Sequence, residues 1–119
     1  MIKRQNKKQY DLEERTMIFA QDVISFTQKL TKNIVNIEII KQLVRSSGSV
    51  GANYIEANES LSKKDFILRI KICRKEAKET IYWLKLLVID EGQEEKREML
   101  IKEATELMKI FGAIIEKCK

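Results

Sequence analysis

The sequence contains no histidine and no proline, and it has only four glycines and two cysteines. Without histidine, a Ser-His-Asp triad, a Cys-His pair and other histidine-based acid-base mechanisms are excluded. Without proline and with so little glycine, almost nothing along the chain interrupts a helix. These absences favour an all-α protein that is not an enzyme.

Long hydrophobic runs are also absent. The apolar run at residues 86–89 is among the longest, whereas a membrane-spanning helix needs about 20 apolar residues. The basic N-terminus is not followed by the apolar stretch of a secretory signal. We therefore expect no membrane association and a cytoplasmic location.

The two cysteines, Cys73 and Cys118, lack the paired spacing of a zinc site and the density of a disulfide scaffold. We expect both to be reduced core thiols.

Carboxylates at Glu-x-x-Glu spacing occur at residues 76–79 and 103–106, but the di-iron bundles use Glu-x-x-His. We interpret these acids as solvated partners of nearby lysines, and we predict no metal and no cofactor. The lysines are Lys75, Lys78, Lys102 and Lys109.

Apolar residues recur every three or four positions in four segments, which indicates four helices that each bury one face. The third helix is predicted to begin after Ser62, a capping residue with Asp65 at the third helical position. It is predicted to end at residues 90–92, with Gly92 as the left-handed residue. The inward-facing positions are predicted to be Leu12, Thr16, Phe19, Val23, Phe26 and Leu30; Ile37, Ile39, Ile40, Leu43, Val44, Ser46, Ser47, Val50, Gly51, Tyr54 and Ala57; Phe66, Ile70, Cys73, Ala77, Thr80, Leu84 and Leu87; and Leu100, Ala104, Leu107, Phe111, Ile114 and Cys118.

Four helices joined by short loops pack most simply as an antiparallel up-down-up-down bundle. A length of 119 residues is suited to one domain. We assign residues 10–119 to a single four-helix bundle and residues 1–9 to a basic N-terminal arm. Small residues crowd positions 46–52 despite their poor helix propensity, which predicts close helix packing there, within the bundle or between subunits.

The net charge of +5 is unevenly distributed. Part of it lies in the arm, and part lies in a lysine seam on the third helix, where four lysines follow heptad spacing and a fifth lies beside them. Such a surface is suited to the phosphates of RNA or DNA, and a merely solvated face is the alternative. The arm contributes Lys3, Arg4, Lys7 and Lys8, and the lysine seam consists of Lys64, Lys71, Lys75, Lys78 and Lys85.

The third helix also carries apolar residues on the side away from its core stripe. One bundle cannot bury both sets, so this apolar band indicates an interface between subunits, and apolar residues scattered on the surface are the alternative. A further set of polar residues near the buried stripes of the second helix needs hydrogen-bonding partners. We interpret that set as a structural network that fixes helix register or a subunit contact, and a ligand site is the alternative. The apolar band consists of Leu68, Ile72, Trp83 and Leu86, and the polar set consists of Arg45, Asn53, Glu56 and Asn58.

The centre of the sequence carries an Arg-Ser-x-x-Ser-Val-x-x-Asn-x-x-Glu-Ala pattern, then a basic Ser-Lys-Lys-x-Phe opening, then a helix with spaced glutamates. The positions of this pattern are Arg45, Ser46, Ser49, Val50, Asn53, Glu56, Ala57, Ser62, Lys63, Lys64, Phe66, Glu76 and Glu79. Through this pattern residues 10–118, and most specifically 42–87, resemble the bacterial four-helix bundle proteins called 23S ribosomal RNA intervening-sequence proteins.

The resemblance implies a homopentameric barrel of antiparallel bundles with a positively charged surface. Some relatives are accessory factors to the reverse transcriptase of diversity-generating retroelements and bind nucleic acid, and others are encoded within insertions in ribosomal RNA genes. We therefore expect a non-enzymatic, oligomeric accessory protein that binds RNA or DNA through its basic surface. The alternative is a structural or adaptor protein that self-assembles and docks a protein partner, a reverse transcriptase or another protein, without binding nucleic acid.

Overall fold

In the computed structural model the backbone is described for residues 7–119 and the side chains from Leu12 onward. Lys3 and Arg4 lie outside the described residues. Residues 7–9, assigned above to the arm, are helical, since nothing in that stretch breaks a helix. The side chains of Lys7 and Lys8 lie outside the described part. The four helices are α1 (Lys7–Gln28), α2 (Ile34–Asn58), α3 (Lys63–Leu86) and α4 (Glu94–Lys117).

The four helices pack around one another in the order of the chain, and the described residues form no strand. Helix α1 contacts α2 and α4, and α3 contacts the same two neighbours. Helices α1 and α4 therefore form one side of the molecule, and α2 and α3 form the opposite side. The contact between α1 and α4 is the smallest of the four.

The core consists of the stripes that the periodicity predicts. The inward positions of α1 are all buried, and in α3 only Phe66 remains partly exposed. In α2 the prediction is too wide, because Ile37 is exposed and Ile40 and Val44 are only half-buried. In α4 Ile115 is buried, whereas Ile114 and Cys118 are half-buried.

The ends of α3 differ in how well the sequence predicts them. At its start the hydroxyl of Ser62 accepts a hydrogen bond from the Asp65 amide at 3.1 Å, so the predicted cap is confirmed. At its end the prediction is wrong, because the helix stops at Leu86, before residues 90–92. Gly92 does adopt a positive φ of 90°, but it lies in the later turn rather than at the helix end.

Helix α3 ends early because residues from other parts of the chain form hydrogen bonds with the segment that follows Leu87. Asn36, buried in the first turn of α2, donates to the Val88 carbonyl at 2.8 Å and accepts from the Val88 amide at 3.1 Å. The Asp90 carboxylate accepts from the amide and the hydroxyl of Thr31, each at 3.0 Å. Because these bonds satisfy the backbone and side chains in an extended segment, the helix does not continue.

Two of the small residues of α2, both glycines, have different surroundings. A Cβ on Gly51 would lie 2.8 Å from the Thr16 Oγ1 atom, so the absence of a side chain there lets α1 approach α2 closely. A Cβ on Gly48 would meet nothing within 4 Å. The predicted close packing is therefore confirmed within the bundle at Gly51, whereas Gly48 faces outward.

Candidate functional surfaces

The lysine seam lies on the outer face of α3, opposite the residues that enter the core. All five of its lysines are exposed, and none forms an ion pair with any residue whose side chain is described. Tyr82 lies alongside, 58% exposed, with its ring 5.0 Å from that of Trp83. The seam is therefore a row of uncompensated positive charges with one aromatic ring beside it.

The apolar band on α3 is interrupted at its centre. Leu68 and Leu86 are 56% and 46% exposed, whereas Ile72 and Trp83 are half-buried. At about 100° per residue, Lys75 and Glu79 fall on the same stripe between them. The band therefore consists of two apolar pairs separated by a charged centre.

The indole of Trp83 has a fixed orientation. Its Nε1 atom donates a hydrogen bond to the Glu79 carboxylate at 3.0 Å, and its ring packs against the core. A buried tryptophan N–H normally finds such a partner. Trp83 therefore presents only part of its side chain to the surface.

The glutamates of α3 do not pair with lysines, and the expectation that they do is wrong. Arg45 on α2 donates to the Glu79 carboxylate and places its Nη1 atom 3.5 Å from the Oε1 atom of Glu76. Glu76 is buried, only 7% exposed, and its Oε1 atom has no hydrogen-bond partner among the described residues. Burying a carboxylate is costly unless it is paired, and the Arg45 guanidinium, rather than a flexible lysine, supplies the pairing charge.

The predicted polar set does not form a single network. Asn53 accepts from the Arg69 guanidinium at 2.9 Å, which joins α2 to α3. Asn58 donates to the Glu13 carboxylate at 2.8 Å, which joins α2 to α1. Glu56 is exposed, and its backbone carbonyl accepts from the Ser60 hydroxyl at 3.3 Å. Arg45, Asn53 and Asn58 thus act separately, each linking α2 to a neighbouring helix.

A groove of about 480 Å³ separates α1 from α4 on the side of the molecule away from α2 and α3. Its middle is apolar, with Ile18 and Met99 exposed at 47% and 59%. Arg15 crosses one end and donates to the Glu103 carboxylate at 2.7 and 3.0 Å. The periodicity does not predict this groove, because Ile18 and Met99 lie outside the core stripes and only the packing brings them together. The lining residues are Glu14, Arg15, Ile18, Phe19, Asp22, Lys96, Met99, Leu100 and Glu103.

The sequence profile of the 23S rRNA-intervening sequence protein family matches residues 8–113, nearly the whole described bundle. The chain belongs to the 23S rRNA-intervening sequence protein family. The resemblance predicted from the Arg45 to Glu79 pattern is thereby confirmed.

A protein similar to this chain has a solved structure. It is a crystal structure of a protein with unknown function from the S23 ribosomal protein family of Bacteroides thetaiotaomicron. That protein is 32% identical to this chain and superposes with a TM-score of 0.74, over 87% of this chain and 96% of its own. Comparison with curated proteins gave no match.

In this member of the 23S rRNA-intervening sequence protein family, several residues of the pattern that carries the resemblance hold α2 against α3. Arg45 pairs with Glu76 and Glu79, Asn53 bonds Arg69, and the Ser46 and Thr80 hydroxyls lie 2.9 Å apart in the core. The pattern thus marks the junction of two helices. The lysine seam and the groove described above lie elsewhere, on the outer face of α3 and between α1 and α4.

Within residues 7–119, none of the helices combines the length and the apolar character that crossing a bilayer requires.

Proposed function

We propose that this protein is a non-enzymatic accessory factor that self-assembles and binds the phosphate backbone of RNA or DNA. The observation that carries the proposal is the lysine seam, because its five exposed lysines have no acidic partner among the described side chains. The basic residues of the arm, Lys3, Arg4, Lys7 and Lys8, add to this charge in sequence. Assembly repeats the same surface once per subunit.

Self-assembly is supported by the exposed leucines of the apolar band. Leu68 and Leu86 would gain roughly 25 cal/mol for each Å² of apolar surface that a second copy removes from water. A pentamer is the number that the family resemblance implies. Such an assembly would place several lysine seams around one axis, which strengthens the attraction for an extended polyanion.

We also infer that the four helices run up-down-up-down. As the residue number rises along α2, the number of its partner after Ser62 falls: Asn36 bonds Val88, Arg45 bonds Glu79 and Asn53 bonds Arg69. Connections of only a few residues between successive helices support the same arrangement. The seam then runs along the length of one bundle edge.

Nucleic-acid binding is tested by fluorescence anisotropy with labelled single strands and duplexes of RNA and DNA across a salt series. Each neutralised phosphate contributes roughly 0.7 to 0.9 to the slope of log affinity against log salt concentration. The variant Lys71→Gln/Lys78→Gln/Lys85→Gln should bind much more weakly at low salt and show a shallower slope. The matched control, Lys29→Gln/Lys102→Gln/Lys109→Gln, removes the same charge from exposed sites outside α3.

Equal losses for the two triple variants would mean that net charge rather than the seam attracts the nucleic acid. No binding by the wild-type protein at low salt would overturn the nucleic-acid half of the proposal. It would favour the adaptor function, in which the assembly docks a protein partner.

One observation favours the adaptor function. Three large apolar side chains are exposed near one end of the bundle: Ile34 at 84%, Val35 at 63% and Val88 at 58%. Because Asn36 bonds the backbone of Val88, these residues lie close together. An apolar patch of this kind is typical of a protein-docking surface, and a reverse transcriptase is the partner class that the resemblance implies.

A further inference from the structure

We propose that the α1–α4 groove of one copy receives the outer face of α3 from a second copy. The proposal rests on the self-assembly half of the proposed function and specifies which two surfaces meet. It differs from a contact between two apolar bands, because each copy would use two unlike surfaces on opposite sides of its bundle.

The groove presents acidic ends and an apolar middle along α1. Glu14, Ile18 and Asp22 follow one another at intervals of four residues, so Ile18 lies between the two acids on the same face. Neither acid forms an ion pair with any residue whose side chain is described. On the α4 side the exposed thioether of Met99 widens the apolar floor, and Lys96 is the base that lines the groove besides the paired Arg15.

The outer face of α3 presents the complementary order. Lys64, Leu68, Ile72 and Lys75 lie along one stripe, with a base at each end and two apolar residues between them. At 1.5 Å per residue the two lysine Cα atoms are separated by about 16 Å along the axis, and those of Glu14 and Asp22 by about 12 Å. The length of a lysine side chain spans the difference, so both ion pairs can form while the leucine enters the apolar middle.

The contact would leave part of the lysine seam free. Because an α-helix drifts by about 20° per heptad relative to a seven-residue repeat, Lys71, Lys78 and Lys85 lie progressively farther from the apolar band than Lys64. Lys75 lies on the band itself. The proposal therefore assigns Lys64 and Lys75 to the neighbouring copy and Lys71, Lys78 and Lys85 to phosphates.

The geometry also determines the kind of assembly. Helices α1 and α4 form one side of the molecule and α2 and α3 the other, so each copy offers a groove on one side and a ridge on the other. A contact between two unlike surfaces is heterologous, and repeated copies then form a closed ring or an open filament rather than a two-fold dimer.

A charge exchange tests the proposed contact. The groove variant is Glu14→Lys/Asp22→Lys, the ridge variant is Lys64→Glu/Lys75→Glu, and the combined variant carries all four changes. Light scattering at equal protein concentrations should show each single set shifted toward the protomer mass of 14.0 kDa. The combined variant should regain the wild-type mass, because its ion pairs are restored with opposite polarity.

The control is Glu38→Lys/Glu116→Lys, which changes the net charge as much as the groove variant but at exposed acids outside the groove. It should keep the wild-type mass, and circular dichroism should show that every variant remains helical. A groove variant that keeps its mass, or a combined variant that stays dissociated, would overturn the proposed contact.

A further variant separates the contact from the proposed function. If Leu86→Lys dissociates the assembly while the groove variant does not, self-assembly stands and the groove contact is wrong. If the wild-type protein is itself a monomer over the accessible concentrations, self-assembly and the contact both fall. Nucleic-acid binding is judged independently by the Lys71, Lys78 and Lys85 variant.

Discussion

At the scale of single residues, two glycines three positions apart in α2 have opposite environments. A Cβ at position 51 would meet the Thr16 hydroxyl, which already donates to the Leu12 carbonyl at 2.9 Å and so cannot move freely. We expect Gly51→Ala to lower the free energy of unfolding by roughly 1 to 3 kcal/mol, because overpacking outweighs the gain in helix propensity. Gly48→Ala should raise it by up to about 1 kcal/mol, since its Cβ enters open space.

Urea denaturation of the two variants measures both effects, and each serves as the control for the other. A change of the same sign in both would mean that helix propensity alone decides the outcome and that the α1–α2 approach is not tight. The sequence predicts the cluster of small residues, but it does not distinguish the inward glycine from the outward one.

Cys73 is a second residue whose surroundings determine its chemistry. Burial raises the pKa of its thiol from about 9 to about 12, because the thiolate loses its hydration. At pH 8 we expect a thiol reagent to label the half-buried Cys118 readily in the folded protein, and Cys73 only after denaturation. Peptide mapping after labelling identifies the modified cysteine. Rapid labelling of Cys73 at the same rate as Cys118 would contradict the burial.

The raised pKa of Cys73 makes the stability of the protein depend on pH in the alkaline range. A group whose pKa is raised in the folded state stabilises that state below the unfolded pKa and loses the contribution as pH rises toward the folded pKa. For Cys73 this window runs upward from about 9. Urea midpoints of the wild type should therefore fall more steeply above pH 9 than those of Cys73→Ala, which lacks the titrating thiol.

At the scale of elements, Asn36 joins the start of α2 to the segment that follows α3. It is 1% exposed, and its amide makes two hydrogen bonds to Val88 and one to the Thr31 carbonyl, the last at 3.1 Å. Asn36→Ala should lower the free energy of unfolding by about 2 to 4 kcal/mol, because three partly buried hydrogen bonds of a buried side chain are lost. The control Asn58→Ala removes the exposed bond to Glu13 and a hydrogen bond with the Tyr54 hydroxyl, and it should cost less, about 1 kcal/mol.

Thermal unfolding followed by circular dichroism measures the two losses. If the two asparagine variants lose similar stability, the amide of Asn36 does not hold the ends of α2 and α3 together. Hydrogen exchange provides a second readout, since the Val88 amide should lose its protection specifically in Asn36→Ala.

An element could be predicted where the interactions that form it join residues close together in the sequence. The four helices, the Ser62 cap and most core positions follow from local periodicity and from hydrogen bonds between near neighbours in sequence. The end of α3 does not, because Asn36 and Asp90 act across loops that only the folded chain brings together. An asparagine on the apolar side of a first helical turn is the sequence signal that could have indicated such a bond.

The candidate surfaces, too, could be predicted only where their residues lie close together in the sequence. The lysine seam could be predicted because heptad spacing on one helix places its members side by side. The partner of the α3 glutamates could not, since lysines are nearer in sequence than Arg45 and only the α2–α3 contact favours the arginine. The α1–α4 groove requires two helices at opposite ends of the sequence, which periodicity does not relate.

At the scale of the whole molecule, self-assembly should make stability depend on concentration. Association that occurs only in the folded state stabilises it by mass action. We therefore expect the wild-type melting temperature to rise with protein concentration and that of Leu86→Lys to be nearly independent of it. Differential scanning calorimetry over a hundredfold concentration range measures the difference, and identical concentration dependence for both proteins would exclude Leu86 from the interface.

The core positions of α3 and its proposed binding surface are different residues on different faces of the helix. Its inner stripe builds the core, its α2-facing side carries the Arg45 ion pairs, and its outer face carries the lysines and the apolar band. Substitutions on the outer face should therefore change association with little effect on the fold of the protomer, which makes the proposed surfaces accessible to mutation.

The bond between Asn36 and Val88 also bears on the synthesis of the protein. The two residues are 52 positions apart, so the ribosome completes α2 long before the partner of its first turn has emerged. Until residue 88 leaves the exit tunnel, the side chain of Asn36 can bond only groups that are close in sequence, such as the Thr31 carbonyl. The hydrogen bonds that join the start of α2 to the segment after α3 can therefore form only once the whole of α3 has been synthesised.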